Sequence, residues 1–239
     1  VVLIGLGSLS WIAYEQLRFM QSGGLGYDTA NVVRTNFSGD STAYHQFRQR
    51  LMRSSAIEAV GSAGAAGIPQ SPDNRTSFGL RGADAVYEGG TIRRVDAHWF
   101  EVMGIEHPVV DSVRAAGALA PARYLINQTA AAHLQVEDPV GREWQLNPPE
   151  GDVYPIDGVL TDLHLNPMRE AVDPAIYKVY PSAPYGANVL VRLAPGQTEA
   201  GMEHLRAVWA EMKPDTPLTT MFLSEEVAEL YQQERRFTA

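Results

Sequence analysis

The chain has no cysteine among its 239 residues. This absence excludes disulfide bonds, thiolate catalysis and cysteine-ligated zinc sites. Positive charge is also scarce, because 19 basic residues stand against 28 acidic ones and give a net charge of −9. A nucleic-acid partner is therefore disfavoured, since phosphate binding requires a basic surface. The 45% hydrophobic and 20% charged content is that of a folded chain rather than a disordered one.

Several catalytic motifs are missing as well. The sequence has no Walker-type phosphate loop and no Gly-x-Ser-x-Gly motif, so we expect no ATPase or hydrolase site of these types. The best local candidate for a metal or acid–base pair is Asp162 with His164, although such a lone pair is more often a structural hydrogen bond. We predict that the chain is not an enzyme and has no catalytic residue, cofactor or metal.

The first ten residues, VVLIGLGSLS, allow two interpretations. Gly5 and Gly7 after an apolar run resemble a dinucleotide-binding fingerprint, which would make the chain a soluble oxidoreductase. The third glycine is missing, and Asp28, at the distance of the ribose-binding acid, follows a glycine break instead of a strand. The other interpretation is the end of a transmembrane helix, because residues 1–14 carry no charge.

The membrane interpretation assigns residues 1–22 to the end of a transmembrane helix and its stalk. Fourteen uncharged residues are fewer than the roughly 20 that span a bilayer, so we expect this chain to be cut from a longer polypeptide. Trp11 and Tyr14 would then be anchors at the membrane interface. A pivot at the membrane is expected at the glycines that follow: Gly23, Gly24 and Gly26.

Both ends of the chain show a strand–helix–strand pattern. Near the start we predict a strand at 31–36, a helix after a cap at Asp40 or Ser41, and a strand at 57–68. Near the end we predict a strand at 188–193, a helix at 198–212, a strand at 218–223 and a final helix capped by Ser224. Tyr44, Phe47 and Leu51 repeat at helical spacing and predict the buried face of the first helix.

The middle of the chain is rich in short strands and loops. The predicted strands there are 76–81, 87–95, 122–127, 142–146 and 153–163. Two short helices are predicted at 96–103, closed by Gly104, and at 129–134. A similar unit at each end with a different middle predicts one α+β domain that is split by an insertion.

Several stretches carry a resemblance to a known family. They are, in chain order, Tyr14–Gln21 (YEQLRFMQ), Leu25–Asp28 (LGYD), Val95–Ile105 (VDAHWFEVMGI), Asn127–Ala131 (NQTAA) with Asp138–Gly141 (DPVG), Gly158–His164 (GVLTDLH) and Tyr231–Arg236 (YQQERR). In order and spacing they resemble the periplasmic core domain of bacterial ABC transporter permeases of the MacB/FtsX type. The chain departs from that pattern after Ile105, where it has His107–Asp111 (HPVVD) in place of G-R-x-F.

The resemblance implies a two-lobed α+β fold. A porter-like α/β lobe would be formed by residues 25–70 and 185–225, and a β-rich lobe by the inserted residues 71–184. Residues 226–239 would be a stalk helix that leads to the next membrane span.

The resemblance also implies a function. ATP would be hydrolysed by a separate cytoplasmic subunit or domain, and movement of the membrane helices would be passed to this segment on the periplasmic or extracellular side of the bacterial inner membrane. The implied partners are a second permease copy in a dimer and a periplasmic adaptor, an outer-membrane duct or a cell-wall hydrolase. Export of a substrate is the first expectation, and an FtsX-like scaffold that activates a cell-wall hydrolase without transport is the alternative.

Overall fold

The computed structural model describes residues 25–69, 75–83, 86–117, 120–165, 170–182 and 188–229. These residues form six helices and an eleven-stranded, mainly antiparallel sheet, which confirms the predicted α+β class. The predicted anchors Trp11 and Tyr14 and the predicted pivot residues Gly23 and Gly24 lie outside the described residues. Among the helices that are described, none has the length and apolar character to cross a bilayer.

The bounds of the strands and helices are as follows. The strands are β1 (Val32–Asn36), β2 (Ile57–Ala63), β3 (Arg75–Leu80), β4 (Val86–Asp96), β5 (Arg123–Asn127), β6 (Glu143–Leu146), β7 (Val153–Pro155), β8 (Gly158–Leu160), β9 (Ala175–Tyr180), β10 (Asn188–Leu193) and β11 (Thr220–Phe222). The helices are α1 (Ser41–Leu51), α2 (Ala97–Val102), α3 (Pro108–Ala116), α4 (Gln128–His133), α5 (Thr198–Met212) and α6 (223–229).

Four strands from the two ends of the chain lie side by side in the order β11-β1-β10-β2. Every neighbouring pair among them is antiparallel. Helix α1 connects β1 to β2 and helix α5 connects β10 to β11, so each helix joins two parallel strands that have one strand between them. This is the split β-α-β arrangement, and we call these six elements the split βαβ unit. The chain between β2 and β10, residues 64–187, is called the inserted segment.

Helices α1 and α5 cover one face of the split βαβ unit. Helix α1 begins after Asp40, whose carboxylate accepts the N–H of Ala43 at 2.8 Å, so the predicted cap is confirmed. The ring of Phe47 stacks on Phe37 with centroids 4.7 Å apart and meets the edge of Trp209 at 5.8 Å. Apolar burial of this kind supplies most of the stability of short amphipathic helices.

Helix α2 of the inserted segment covers the opposite face of the same strands. A Cβ atom added at Gly61 of β2 would lie 2.5 Å from the backbone nitrogen of Trp99. The glycine therefore permits a contact between strand and helix backbones that no larger residue allows. The indole of Trp99, which is completely buried, donates to the carbonyl of Gly67 at 3.1 Å.

The inserted segment has a hydrophobic core of its own. Its members include Phe78 from β3, Ile126 from β5, Trp144 from β6 and Ile176 from β9. Strand β4 connects this part of the sheet to the split βαβ unit. It pairs with β3 and, in parallel, with β9, whereas its contact with β2 is the pair of Ala63 with Val95.

The structure adds two elements that the sequence did not predict. Helix α3 starts with Pro108 directly after the cap residue His107, and a proline in the first turn fits because its missing N–H needs no partner there. Strand β9 lies between β4 and β5, and its first two residues, Ala175 and Ile176, are completely buried.

Several predicted elements have different bounds in the structure. The strand predicted at 153–163 is two short strands, because Pro155 cannot donate to a ladder. The strand predicted at 57–68 ends at Ala63 and is followed by a turn of 3₁₀ helix. The final helix starts at Leu223, so Ser224 lies in its first turn and not at its cap.

Candidate functional site

Gly26 is the one predicted pivot residue among the described residues. Its φ angle is +76°, and an added Cβ atom would lie 2.6 Å from the carbonyl oxygen of Asp162. Both the left-handed backbone and the close approach therefore require glycine at this position. The structure thus places Gly26 against the loop that contains Asp162 and Leu163. Its role as a pivot stays a prediction.

The chain enters the fold through residues 25–31, which we call the entering segment. The carbonyl of Leu25 accepts the N–H of His164 at 2.8 Å, and the N–H of Asp28 donates to the carbonyl of Met103 at 3.0 Å. The side chains of Leu25 and Tyr27 are buried. Backbone hydrogen bonds to two separate loops therefore hold this segment in place.

Arg192 of β10 adds a second attachment for the entering segment. Its guanidinium donates to a carboxylate oxygen of Asp28 at 2.9 Å and to the carbonyl of Ala30 at 3.0 Å. The same group donates to the carbonyl of Val102 at 2.8 Å. One arginine thus joins the entering segment, β10 and the end of α2, with charge-assisted bonds that are stronger than neutral ones.

The chain leaves the described structure through α6, which we call the leaving segment. Leu223 and Val227 of this helix are buried in the same hydrophobic core as Leu25 and Tyr27. Arg34 of β1 forms two hydrogen bonds of 3.0 Å to the carboxylate of Glu226. Burial raises the pKa of Glu226, and the positive charge of Arg34 partly opposes that shift.

The two segments emerge at the same end of the sheet. Strands β1 and β11 are antiparallel neighbours, with Val33 opposite Phe222 and Thr35 opposite Thr220. The start of β1 therefore lies beside the end of β11. Since the entering segment precedes β1 and the leaving segment follows β11, we call the two together the paired base.

A buried carboxylate joins the split βαβ unit to the inserted segment. Asp96, at the end of β4, has no exposed surface. One of its oxygens accepts the hydroxyls of Tyr44 at 2.6 Å and Ser62 at 2.9 Å, and the other accepts the N–H of Trp99 at 2.8 Å. Burial is the main reason that the pKa of Tyr44 is raised well above its ordinary value, and the negative charge of Asp96 raises it further. The phenol therefore stays protonated and continues to donate.

A second buried polar side chain organises the inserted segment. The Asn127 amide oxygen accepts the N–H of Ala130 and the N–H of Ala175, both at 2.9 Å, and its nitrogen donates to the carbonyl of Asp173 at 3.0 Å. Asn127 thus caps α4 and holds the start of β9 with one side chain. All of its polar atoms have partners, as a buried amide requires.

Asp162 and His164, the candidate metal or acid–base pair, lie in an irregular segment after β8. The carboxylate of Asp162 accepts the backbone N–H of Thr129 at 3.0 Å and its hydroxyl at 2.8 Å. The structural role that the sequence favoured for Asp162 is therefore what the geometry shows. Within the described residues, no group of three or more histidine, aspartate or glutamate side chains could hold a metal ion.

A polar network connects the three helices α1, α2 and α3 at the surface. The guanidinium of Arg48 lies 3.1 Å from Nδ1 of His98, and the carboxylate of Glu101 lies 3.4 Å from the same nitrogen. Arg114 of α3 reaches Glu101 at 3.5 Å. The hydrogen bond from His98 lowers the pKa of Glu101, although partial burial opposes the shift.

Sequence reasoning did not identify Arg34, Arg192 or Glu226. Their partners are between 90 and 192 residues away along the chain, so no local pattern reports them. Asp96 and Asn127 carried a detectable signal, since each stands directly before a short helix.

No protein-family model matches the chain, and no curated protein matches it. A functional assignment therefore depends on the geometry of the paired base.

Proposed function

We propose that this chain is the extracytoplasmic domain of an ABC transporter permease. In this role it passes ATP-driven movement of membrane helices to export of a substrate or to partners in the cell envelope. The observation that carries the proposal is the paired base, in which the entering and leaving segments lie side by side at the ends of β1 and β11. A domain placed between two membrane helices has to return the chain to the membrane surface from which it came.

The attachments of the paired base fit the transmission of movement. Arg192 fastens the entering segment to β10 and α2, and the pair of Arg34 with Glu226 fastens the leaving segment to β1. Buried side chains from both segments share one core. A displacement of either segment is therefore transmitted to the sheet, and the domain moves as a rigid body.

The division of the domain into two lobes is part of the same proposal. Residues 25–70 and 185–225 form a porter-like lobe, which corresponds to the split βαβ unit, and residues 71–184 form an inserted β-rich lobe. The hydrophobic core formed by Phe78, Ile126, Trp144 and Ile176 supports this division, and a second core joins the two lobes. A cytoplasmic ATPase subunit or domain and a second permease copy are the partners that the mechanism needs, with the lobes in the periplasm beside the inner membrane.

The location is tested by cysteine accessibility in the full-length protein. Because this chain has no cysteine, Glu203→Cys on the exposed face of α5 supplies one reactive thiol within the domain. We expect a membrane-impermeant maleimide to label it in intact spheroplasts. Labelling that occurs only after lysis would contradict an extracytoplasmic location.

Coupling to ATP is tested by distances between spin labels. The experiment uses a full-length dimer in which Glu203→Cys is the only cysteine of each copy. The distance between the two spin labels should differ between the nucleotide-free and ATP-trapped states. A label at Glu137→Cys in the inserted segment, also exposed, reports on the second lobe. Identical distance distributions in both states at both positions would overturn the proposal.

A further inference from the structure

Helix α3 is capped by a histidine and not by one of the usual small polar residues. Nδ1 of His107 accepts the backbone N–H of Val109 at 3.3 Å, and Nε2 lies 3.2 Å from the carbonyl oxygen of Val159. A backbone N–H only donates and a carbonyl only accepts. The ring is therefore held as the neutral tautomer with its proton on Nε2.

The ring fits closely against β8. A Cβ atom added at Gly158 would lie 2.9 Å from Cε1 of His107, so the glycine makes room for the imidazole. A second proton on the ring has to sit on Nδ1, where it would face the N–H of Val109. It would also place positive charge at the N-terminus of a nine-residue helix, where the helix dipole disfavours cations.

The elements around this site also carry charged and titratable groups. They are Glu106, next to His107 in the chain, Asp111 and Arg114 on α3, Asp157 and Asp162 in the segments before and after β8, Tyr177 on β9, and His98 and Glu101 on α2. Asp111 is paired with Arg114, and Asp157 with Arg123. Asp162 is held by Thr129. Since both ring nitrogens of His107 are already bonded to backbone groups, these carboxylates do not substitute for the cap.

We infer that His107 is a pH-sensitive switch for the first turn of α3. Histidine is the side chain that changes charge between about pH 5 and 8, and uptake of a proton on Nδ1 removes the bond that caps the helix. Arg114 ties α3 to Glu101 of α2, and the carbonyl of Met103 just after α2 holds the entering segment. Acid therefore weakens the first turn of a helix whose last turn is tied to α2. This inference is independent of the proposed transporter function.

The test is amide hydrogen exchange by NMR on the full 239-residue chain at pH 7.5 and pH 5.5. After correction for intrinsic exchange, protection of the Val109 amide should fall about fivefold at the lower pH, which corresponds to the loss of a typical N-cap. The Ala130 amide, capped by the non-titrating Asn127, is the internal reference and should keep its protection. The ¹⁵N shifts of His107 should show a protonated Nε2 at pH 7.5.

The matched variant is His107→Asn, which keeps an acceptor at the cap but cannot titrate. Its Val109 protection should be the same at both pH values. His98→Gln removes the other nearby histidine and should retain the pH response. Equal protection of Val109 at both pH values in the wild type, a response that persists in His107→Asn, or a proton on Nδ1 at pH 7.5 would each overturn the inference.

Discussion

In the split βαβ unit, α1 and α5 bury aromatic and aliphatic side chains against one face of four strands. In the inserted segment, buried polar side chains such as Asn127 fix the positions of shorter elements. The first region uses the repeating burial of regular helices, and the second uses individual hydrogen bonds between distant points of the chain. The comparison indicates that short elements depend more on polar attachments, whereas long amphipathic helices depend more on an apolar face.

The largest effect is expected from Phe47→Ala in the split βαβ unit. Phe47 is completely buried against Phe37 and Trp209, so the substitution should lower the free energy of unfolding by about 3–5 kcal/mol. Urea denaturation measures this loss. Met52→Ala, at a partly exposed position next to α1, is the control and should change stability by about 0.5 kcal/mol or less. A loss near 1 kcal/mol for Phe47→Ala would contradict an apolar core as the main support of this unit.

Asn127→Ala tests the polar attachments of the inserted segment. It leaves the buried N–H groups of Ala130 and Ala175 without an acceptor, so we expect a loss of about 2–3 kcal/mol in unfolding free energy. Asp40→Ala removes a cap of the same kind at an exposed position of the split βαβ unit and should cost only about 1 kcal/mol. Equal losses for the two variants would remove the difference between the regions.

Gly61→Ala tests how closely the two regions contact each other. The added methyl group would meet backbone atoms of His98 and Trp99 at 2.5–2.7 Å. Strand β2 and helix α2 then have to separate, at a cost of about 1–3 kcal/mol. Gly64→Ala is the matched control, because its nearest neighbouring atom would be 3.6 Å away. If thermal unfolding shows the same midpoint for both variants, the backbone contact does not limit the packing.

The smallest effect at neutral pH is expected from Tyr177→Phe. Burial raises the pKa of Tyr177 to about 12, above the ordinary value of about 10 for a phenol. The contribution of the neutral phenol is fully present below about pH 10 and is lost as the pH rises towards 12. Tyr177→Phe should therefore lose stability less steeply between pH 10 and 11.5 than the wild type, as measured by urea unfolding. Parallel pH profiles would contradict this.

Tyr44→Phe sharpens the same test at the junction of the two regions. Its hydroxyl donates to Asp96 at 2.6 Å, so removal of the hydroxyl should already destabilise the protein at pH 7 by about 1.5–3 kcal/mol. Tyr177→Phe should change the unfolding free energy at pH 7 by about 1 kcal/mol or less. The reverse order of the two variants at pH 7 would show that Asp96 is not a structural junction.

The sequence predicted the split βαβ unit well because its signals are local. Asp40 stands immediately before α1, and Tyr44, Phe47 and Leu51 follow at helical spacing. The helix predicted at 198–212 has the same bounds in the structure. Such signals need only neighbouring residues, and long periodic elements provide the most of them.

The inserted segment was harder to predict because its elements are short and depend on distant contacts. Strand β9 has six residues and little alternation of buried and exposed positions, since it lies between β4 and β5. Helix α3 starts at a proline that also fits a turn. The capping roles of Asp96 and Asn127 have a local signal, but their bonds to Tyr44 and Ala175, and the role of Arg192, depend on partners that come together only in the folded chain.

The paired base also determines how the domain responds to force. The hydrogen bonds between β1 and β11 run across the strands, so pulling the entering and leaving segments apart sideways loads these bonds one after another. Three residue pairs offer little resistance in that direction. The doubly bonded pair of Arg34 with Glu226 lies next to the point of loading and therefore bears the first tension. Mechanical strength at this end of the domain thus depends on this ion pair together with the buried side chains of Leu223 and Val227.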